Sequence, residues 1–294
     1  MVINIQTRQK ELVLAILLTV TGGGVLAVMD AISKELTNSL PVIQVVWGRY
    51  FFHTVIVIIY LLSCQSRSIF VSNCPKIQIQ RSFLLFIATF AMYTSLKYLP
   101  LADAASVQFF APVLVTILSG LFLKEVIGVR RYLAVVVAFA GVLIIVQPGF
   151  GFRWAMLLPL TTAILLAIFL IQTRTLQRYD NPYTTLFYTT LVGVIVLILA
   201  VPFYWQQPSL SELFLMCMQG SLGAVGHLAI IKGLQFATAS FLSPFLYSQL
   251  VVAVLLSVIY LDDPLTVHVV IGATLIILSG IYIWYREIHL KHRG

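Results

Sequence analysis

The sequence predicts an all-α integral membrane protein with ten transmembrane helices, arranged as two inverted five-helix repeats. Three observations predict this fold: an apolar composition, ten apolar stretches of membrane-spanning length, and motifs that recur about 140 residues apart. Of 294 residues, 60% are hydrophobic and only 10% are charged, against about 25% charged in an ordinary soluble domain. So few charged side chains cannot cover a water-soluble fold of this size, and so apolar a chain is not disordered.

Length decides the number of spans, because a bilayer core of about 30 Å requires roughly 20 apolar residues per helix. The predicted spans cover residues 12–35, 41–63, 82–98, 102–123, 130–148, 154–174, 183–204, 211–232, 238–261 and 266–285. Pro112, Pro159 and Pro244 lie inside these segments and predict local kinks. The loops are too short for a separate soluble domain, so we expect one membrane domain built from residues 1–148 and 149–294.

The distribution of basic residues predicts the orientation in the membrane. With the N-terminus in the cytoplasm, 14 of the 18 lysines and arginines fall in cytoplasmic segments and three fall outside. This asymmetry is the positive-inside pattern of multi-pass proteins. We therefore expect both termini in the cytoplasm and the chain in the inner membrane of a bacterial cell. The net charge of +8 is explained by this topology, so no nucleic-acid partner is predicted.

Motifs in the first half of the chain recur in the second half. The pairs are Ser33–Leu36 with Thr173–Leu176, Pro41 with Pro182, Lys124-Glu125 with Asp262-Asp263, and Gly141 with Gly280. The offsets lie between 138 and 141 residues, and the order is the same in both halves. Five spans per half is an odd number, so the second half enters the membrane from the opposite side and the repeat is inverted. Chance similarity between apolar segments is the alternative explanation.

Further motifs carry a resemblance to a known family. They are Ser95–Ala105, Ala111-Pro112 and Lys124-Glu125 in the first half, and Gly226-His227, Ala237–Ser240, Ser243-Pro244, Tyr247–Gln249 and Asp263-Pro264 in the second. In these motifs the chain resembles the drug/metabolite transporter superfamily, in its EamA-type branch, over nearly its whole length. Lys124 and Asp262 stand where that family usually has glycine before its acidic residue. Asp30–Leu36 and Arg49–Phe52 are similar to a subgroup that includes S-adenosylmethionine uptake transporters.

The resemblance implies two five-helix repeats around a central substrate cavity, and the export or exchange of small metabolites such as amino acids. We therefore predict a secondary active transporter that moves a small polar metabolite, amino-acid-like or S-adenosylmethionine-like, by alternating access. An exporter of amino acids or drugs is the alternative within the superfamily. An intramembrane enzyme or a channel is less favoured, because the polar groups are scattered among the spans and no filter-like segment is present.

Ionisable side chains inside apolar spans are costly, and they therefore point to function. Asp30 in the first span and Arg49 in the second lie at similar predicted depths. They predict either a structural ion pair, with Lys34 as another partner for Asp30, or a site for a substrate that carries both signs of charge. A zwitterion of the amino-acid type fits the second interpretation.

Polar and aromatic side chains in apolar surroundings complete the predicted site. The predicted substrate-binding residues are Asp30, Arg49, Tyr93, Gln108, His227, Tyr247 and Gln249. Histidine can carry a proton near neutral pH, so proton coupling through Asp30 or through a histidine, His227 or His53, is one prediction, and an exchanger or a uniporter is the alternative. No catalytic residue, metal site or cofactor is predicted, because the sequence has no phosphate-binding loop, no HExxH motif and no Cys/His cluster. The expected partners are a small metabolite and membrane lipids.

Overall fold

The computed structural model describes residues 5–64, 67–123, 129–147 and 153–291, and within these ranges it contains helices and no strand. The α-helices of the described ranges are α1 Ile5–Ser39, α2 Val42–Cys64, α3 Pro75–Leu96, α4 Leu101–Gln108, α5 Ala111–Leu123, α6 Val129–Val146, α7 Leu157–Leu176, α8 Pro182–Ala200, α9 Leu210–Phe236, α10 Ala239–Leu242, α11 Tyr247–Ile259 and α12 Val267–Lys291. Six helices of the described chain are long and apolar enough to cross a membrane, and four shorter apolar helices accompany them. Lys124 and Glu125 lie outside the described residues.

Two of the three predicted kinks are confirmed as breaks between helices. α4 ends at Gln108, and Pro112 is the second residue of α5. Proline has no N–H to donate to the carbonyl four residues earlier, so a continuous helix cannot pass through this position without losing a bond. The second break is a 3₁₀ turn over Ser243–Leu246, which contains Pro244 and separates α10 from α11.

The predicted kink at Pro159 is wrong. A 3₁₀ turn over Trp154–Met156 leads directly into α7, and Pro159 is the third residue of that helix. The N–H groups of a first helical turn have no partner within the helix, so a proline there removes no hydrogen bond.

Close packing between helices from the two halves of the chain holds the bundle together. α1 packs against α9 and α11, α3 packs against α7 and α8, and α6 pairs with α12. Gly22 and Gly226 lie where α1 meets α9, and a Cβ atom at Gly22 would come 3.0 Å from the carbonyl oxygen of Gly226. Glycine at such a crossing lets two backbones approach closely, so the contact between α1 and α9 depends on these positions.

A cation bonds backbone carbonyls near each of the two ends of the bundle. Nζ of Lys34, on α1, donates hydrogen bonds to the carbonyl oxygens of Leu96 and Leu99, where α3 ends, at 2.6 and 3.0 Å. At the other end Nη1 of Arg174, on α7, donates to the carbonyl oxygen of Leu234 in the last turn of α9. These are named the Lys34 end and the Arg174 end.

Candidate functional site

A cavity of about 100 Å³ lies between the two ends. Its walls are formed by α1, α2, α3, α4, α5, α7, α9 and α11, together with residues of both helix breaks. Six of the seven predicted substrate-binding residues line it: Asp30, Arg49, Tyr93, Gln108, His227 and Gln249. The fold therefore gathers polar side chains from six helices around one cavity.

Arg49 projects from α2 into this cavity without a carboxylate partner. Its side chain is 5% exposed, and within the described chain no carboxylate oxygen lies within 4 Å of it. Nη1 donates to the hydroxyl oxygens of Thr89 and Tyr93 at 3.3 and 3.2 Å, and Nη2 lies 3.1 Å from Nε2 of His227. Nε is buried and has no hydrogen-bond partner. A guanidinium prefers a carboxylate bound through two parallel hydrogen bonds, so Arg49 is equipped to receive one.

Asp30 contributes the opposite charge from α1. It is 7% exposed, and its Oδ2 accepts a hydrogen bond of 3.1 Å from Nε2 of Gln249. The ion pairs with Arg49 or Lys34 are not formed, since no cationic nitrogen of the described chain lies within 4 Å of this carboxylate. Lys34 is instead bonded to backbone carbonyls. A buried carboxylate without a cation is unfavourable in a membrane protein, and Asp30 is therefore suited to a positively charged ligand group.

Two buried histidines lie next to Arg49. The ring centroids of His53 and His227 are 6.0 Å apart. Arginine only donates hydrogen bonds, so Nε2 of His227 is the acceptor and its ring proton is assigned to Nδ1. His53 does not line the cavity, and both of its ring nitrogens are buried without a hydrogen-bond partner. Gly223 leaves little room there, because a Cβ atom on it would come 3.3 Å from Nδ1 of His53.

Tyr93 and Gln108, two further predicted residues of the lining, are fixed to different degrees. The hydroxyl oxygen of Tyr93 accepts hydrogen bonds from Arg49 and, at 3.1 Å, from Nε2 of Gln219. Gln108 presents an Oε1 atom that is buried and has no partner. An unpaired buried amide oxygen is costly, so Gln108 has an unused acceptor at the cavity wall.

Tyr247 is the predicted residue that lies outside the lining. Its ring packs against Phe109, with centroids 6.2 Å apart, and faces Gly280 of α12. A Cβ atom at Gly280 would lie 2.3 Å from this ring. Tyr247 follows the 3₁₀ turn directly, and such a turn has 3.0 residues rather than 3.6. The face on which Tyr247 lies therefore could not be read from a regular helical pattern.

Thr89 and Phe169 line the cavity although the sequence did not indicate them. Thr89 accepts hydrogen bonds from Arg49 and from the hydroxyl of Tyr50, at 3.3 and 3.1 Å. The Phe169 ring lies between His227, at a centroid distance of 6.1 Å, and the guanidinium of Arg81, at 4.2 Å. Threonine and phenylalanine occur in most apolar spans, so the sequence carried no signal for either residue.

The predicted third span begins at residue 82, just after Arg81, and this start is wrong. α3 begins at Pro75, and Arg81 is fully buried. Its Nε donates to the hydroxyl oxygen of Thr173 at 2.6 Å, Nη1 to the carbonyl oxygen of Thr185 at 3.1 Å, and Nη2 to the hydroxyl oxygen of Thr189 at 3.1 Å. Arg81 thus joins α3 to α7 and α8, and the polar residues of the first two turns of α3 concealed the start of that helix.

Charged contacts reinforce the Lys34 end. Arg153, before α7, forms an ion pair with Asp103 of α4. Asp263, after α11, accepts hydrogen bonds from the backbone N–H of Leu101 at 3.1 Å and from the hydroxyl of Ser257 at 2.8 Å. A carboxylate is favourable at the N-terminus of a helix because the first N–H groups there are unpaired. Both contacts therefore fix the start of α4.

The EamA-like transporter family model matches this chain twice, over residues 13–147 and over residues 153–285. The chain belongs to the EamA-like transporter family. It is accordingly a multi-pass membrane protein and a transporter, not an enzyme. Among the residues that the structure covers, no group of three or more His, Cys, Asp or Glu side chains is arranged to hold a metal ion.

Curated relatives of similar length carry transporter names. The chain is 28% identical to an S-adenosylmethionine uptake transporter of Rickettsia bellii, over 88% of this chain and 89% of the relative. It is 28% identical to a riboflavin transporter of Vibrio cholerae, over 93% of both chains. A pseudopaline exporter of Pseudomonas aeruginosa is 25% identical, over 76% of this chain and 80% of the relative. A solved crystal structure with 19% identity shares the fold, with a TM-score of 0.65 over 94% of this chain and 95% of that chain.

Proposed function

We propose that the protein carries a small zwitterionic metabolite, of the amino-acid or S-adenosylmethionine type, across the membrane by alternating access. The supporting observation is that Asp30 and Arg49 line one cavity but do not pair with each other. A substrate ammonium or sulfonium group fits Asp30, and a substrate carboxylate fits Arg49. The solute then compensates both buried charges, whereas a neutral ligand would leave them unpaired.

Alternating access requires two related gates. We propose that residues 1–148 and 149–294 provide them as inverted five-helix repeats with ten membrane spans. The double match of the family model supports this division. So does the position of the two helix breaks, between α4 and α5 in the first half and between α10 and α11 in the second. The packing follows the same pattern in both halves. The first helix of one half, α1, contacts α9 and α11 of the other, and the first helix of the second half, α7, contacts α3 and α5.

The proposed location is the inner membrane of a bacterium, with both termini in the cytoplasm. The excess of basic residues in the segments assigned to the cytoplasm supports this orientation. The Lys34 end then faces the outside, and the Arg174 end faces the cytoplasm. Exposed apolar side chains such as Leu199 and Ile259 are available to contact lipid.

Uptake is the proposed direction, and export of amino acids or drugs is the second candidate. The relatives named for S-adenosylmethionine uptake favour the first, and the relative named as a pseudopaline exporter favours the second. An inverted repeat supports movement in both directions, so the proposed direction rests on the higher identity to the uptake transporters.

Proteoliposomes that contain the purified full chain provide the test. Labelled S-adenosylmethionine, a mixture of amino acids, and riboflavin are offered outside to the wild type and to Asp30→Asn, Arg49→Gln and Asp262→Asn. We expect saturable uptake of a zwitterion by the wild type. Both cavity variants should lose at least about tenfold, because each leaves a buried charge unpaired in the complex.

Asp262→Asn is the matched control for the acidic variant. Asp262 is exposed and has a positive φ of 51°, which asparagine tolerates, so uptake should stay at the wild-type level. Uptake of riboflavin without any zwitterion contradicts the proposed substrate class. Unchanged uptake in both cavity variants contradicts the proposed roles of Asp30 and Arg49.

A further inference from the structure

The two nitrogens on one edge of the Arg49 guanidinium differ in their contacts: one has no hydrogen-bond partner and the other contacts a histidine. Nε and Nη2 lie on the same edge of this planar group; Nε is buried without a partner, and Nη2 lies 3.1 Å from Nε2 of His227. Nη1 is occupied by Thr89 and Tyr93. A carboxylate that binds arginine through two parallel bonds uses two neighbouring donors. The Nε–Nη2 edge offers such a pair, and a carboxylate bound there takes the place of His227.

Displacement changes what His227 can do. While Nε2 accepts a hydrogen bond from Arg49, its lone pair is in use and the ring is neutral. Once a carboxylate occupies the same edge, this lone pair is free and lies beside a negative charge. A neighbouring carboxylate favours the protonated form of an imidazole. The lone pair that bonded Arg49 is then the position that receives a proton from water.

The surroundings of His227 determine the sign of this coupling. The charged or titratable side chains around it are Arg49 and His53 on α2, Arg81 and Tyr93 on α3, and Asp30 across the cavity on α1. Two of these groups are guanidinium ions, which oppose a second positive charge in the empty cavity. A bound carboxylate offsets the charge of Arg49, so the proton is favoured in the loaded cavity and opposed in the empty one.

We propose that His227 is the proton site of this transporter, and that it takes up one proton when a substrate carboxylate displaces it from Arg49. The acid group and the proton therefore bind together. This inference rests on the proposed function, since it requires a carboxylate on Arg49. It assigns the coupling ion, and it places the coupling at the histidine rather than at Asp30, which is held by Gln249.

Proton uptake can be measured without transport. Titration calorimetry of the purified full chain, in two buffers of different ionisation enthalpy, gives the number of protons bound with each ligand. The probes are S-adenosylmethionine, L-methionine, and decarboxylated S-adenosylmethionine, which lacks only the carboxylate. We expect about one proton with each of the first two probes and none with the third. Affinity for S-adenosylmethionine should weaken as pH rises, by up to about tenfold per unit, because the bound state holds the additional proton.

His227→Gln and His268→Gln are the matched variants. Glutamine at position 227 can still accept from Nη2 but cannot take up a proton, so the binding that remains in this variant should occur without proton uptake and without dependence on pH. His268 is exposed on α12, and His268→Gln should bind one proton as the wild type does. The comparison with decarboxylated S-adenosylmethionine uses the wild type alone, so it holds even where His227→Gln does not fold.

The outcomes separate the two proposals. Binding of S-adenosylmethionine or methionine without proton uptake overturns the coupling and leaves the proposed substrate class intact. Proton uptake that persists in a folded His227→Gln variant, or that occurs equally with the decarboxylated probe, overturns the assignment to His227 and Arg49. Failure of both carboxylate probes to bind the folded wild type overturns the proposed function and this inference with it.

Discussion

The Lys34 end and the Arg174 end of the bundle share one kind of contact. At each end a cation on α1 or α7 donates to carbonyl oxygens where α3 or α9 ends. The carbonyls of Leu96 and Leu234 lie in last helical turns, where they have no partner within their own helices, and Leu99 lies just beyond the end of α3, so each cation bonds groups that the helix does not. Lys34 and Arg174 are also 140 residues apart, in corresponding positions of the recurring motif.

The two ends differ in how they are reinforced. The Lys34 end has the ion pair between Asp103 and Arg153, together with Asp263 at the start of α4. At the Arg174 end, Arg81 is bonded to threonines, and Asp180 accepts from neutral donors such as Nε2 of Gln78. Ionic and helix-terminus contacts thus hold one end, and hydrogen bonds to neutral partners, most of them from Arg81, hold the other. Different substitutions should therefore weaken each end.

The largest expected effect is on stability, from Arg81→Ala. The residue that corresponds to Arg81 at the Lys34 end is Gln219. Gln219 donates a hydrogen bond of 2.8 Å to Ser33, and Arg81 donates one to Thr173 in the same way. Arg81→Ala removes three hydrogen bonds from a charged group and leaves a cavity, so we expect a loss of about 3 kcal/mol or more. Gln219→Ala should cost about 1–2 kcal/mol, since it removes two neutral hydrogen bonds.

Thermal and denaturant unfolding of the purified chain in detergent measures both losses. Gln80→Ala is the control, because Gln80 is exposed on the same helix as Arg81 and should change stability by less than about 0.5 kcal/mol. Equal losses for Arg81→Ala and Gln219→Ala would show that the two ends do not depend on different contacts.

An intermediate effect is expected on access to the cavity. Lys34→Met removes two hydrogen bonds that hold α1 against the end of α3. If their loss costs about 1.4 kcal/mol, the equilibrium between the state with these contacts and the state without them shifts tenfold toward the latter. A cysteine placed at Ala88 in the cavity wall, with the native cysteines replaced by serine, reports access to a membrane-impermeant thiol reagent added outside. We expect modification about tenfold faster in Lys34→Met and slower in Arg174→Met.

Lys97→Met is the control for this measurement, because Lys97 is exposed close to the Lys34 end and makes no contribution to the Lys34 and Arg174 contacts described above. Its modification rate should match that of the parent protein. A change in the same direction for Lys34→Met and Arg174→Met would refute the idea that the two cations close opposite ends.

The smallest expected effect concerns the start of α4. Asp263→Asn keeps an acceptor but removes the negative charge at the helix N-terminus, which should cost about 0.5–1 kcal/mol. Asp262→Asn, at the exposed neighbouring position, should have no measurable effect on unfolding. Increasing salt should narrow the difference between the two variants, because screening weakens charge–dipole interactions; a difference that is insensitive to salt would indicate a purely steric cause.

Apolar runs predicted the six long apolar helices of the described chain because those runs are uninterrupted, whereas helix ends and breaks depended on neighbouring elements. The start of α3 was missed because Arg81 is polar, and only contacts with α7 and α8 make its burial favourable. Pro112 and Pro159 are chemically alike, yet one lies at a break and the other in a first turn. The difference depends on where a helix begins, which the sequence defined only to within a few residues.

The candidate site was predictable where a residue type is rare in a span. Asp30, Arg49 and His227 stand out against apolar neighbours, and the structure places them in one cavity. Whether Asp30 and Arg49 pair with each other could not be predicted, since this depends on distances between α1 and α2. Phe169 and Tyr247 illustrate the remaining limit, because an aromatic residue gives no indication of which face of its helix borders the cavity.

The separation of Asp30 from Arg49 has an electrical consequence. Their charges cancel across the cavity, so a zwitterion with no net charge leaves the carrier's charge unchanged. If His227 takes up a proton as proposed, the protein loaded with a neutral zwitterion holds one positive charge more than the empty one, and S-adenosylmethionine, with two cationic groups and one carboxylate, would add another. An inside-negative membrane potential acts on each such charge with about 2.3 kcal/mol per 100 mV, which corresponds to roughly fiftyfold accumulation inside the cell. The membrane potential, in addition to the solute gradient, would then set the ratio of metabolite concentrations inside and outside the cell.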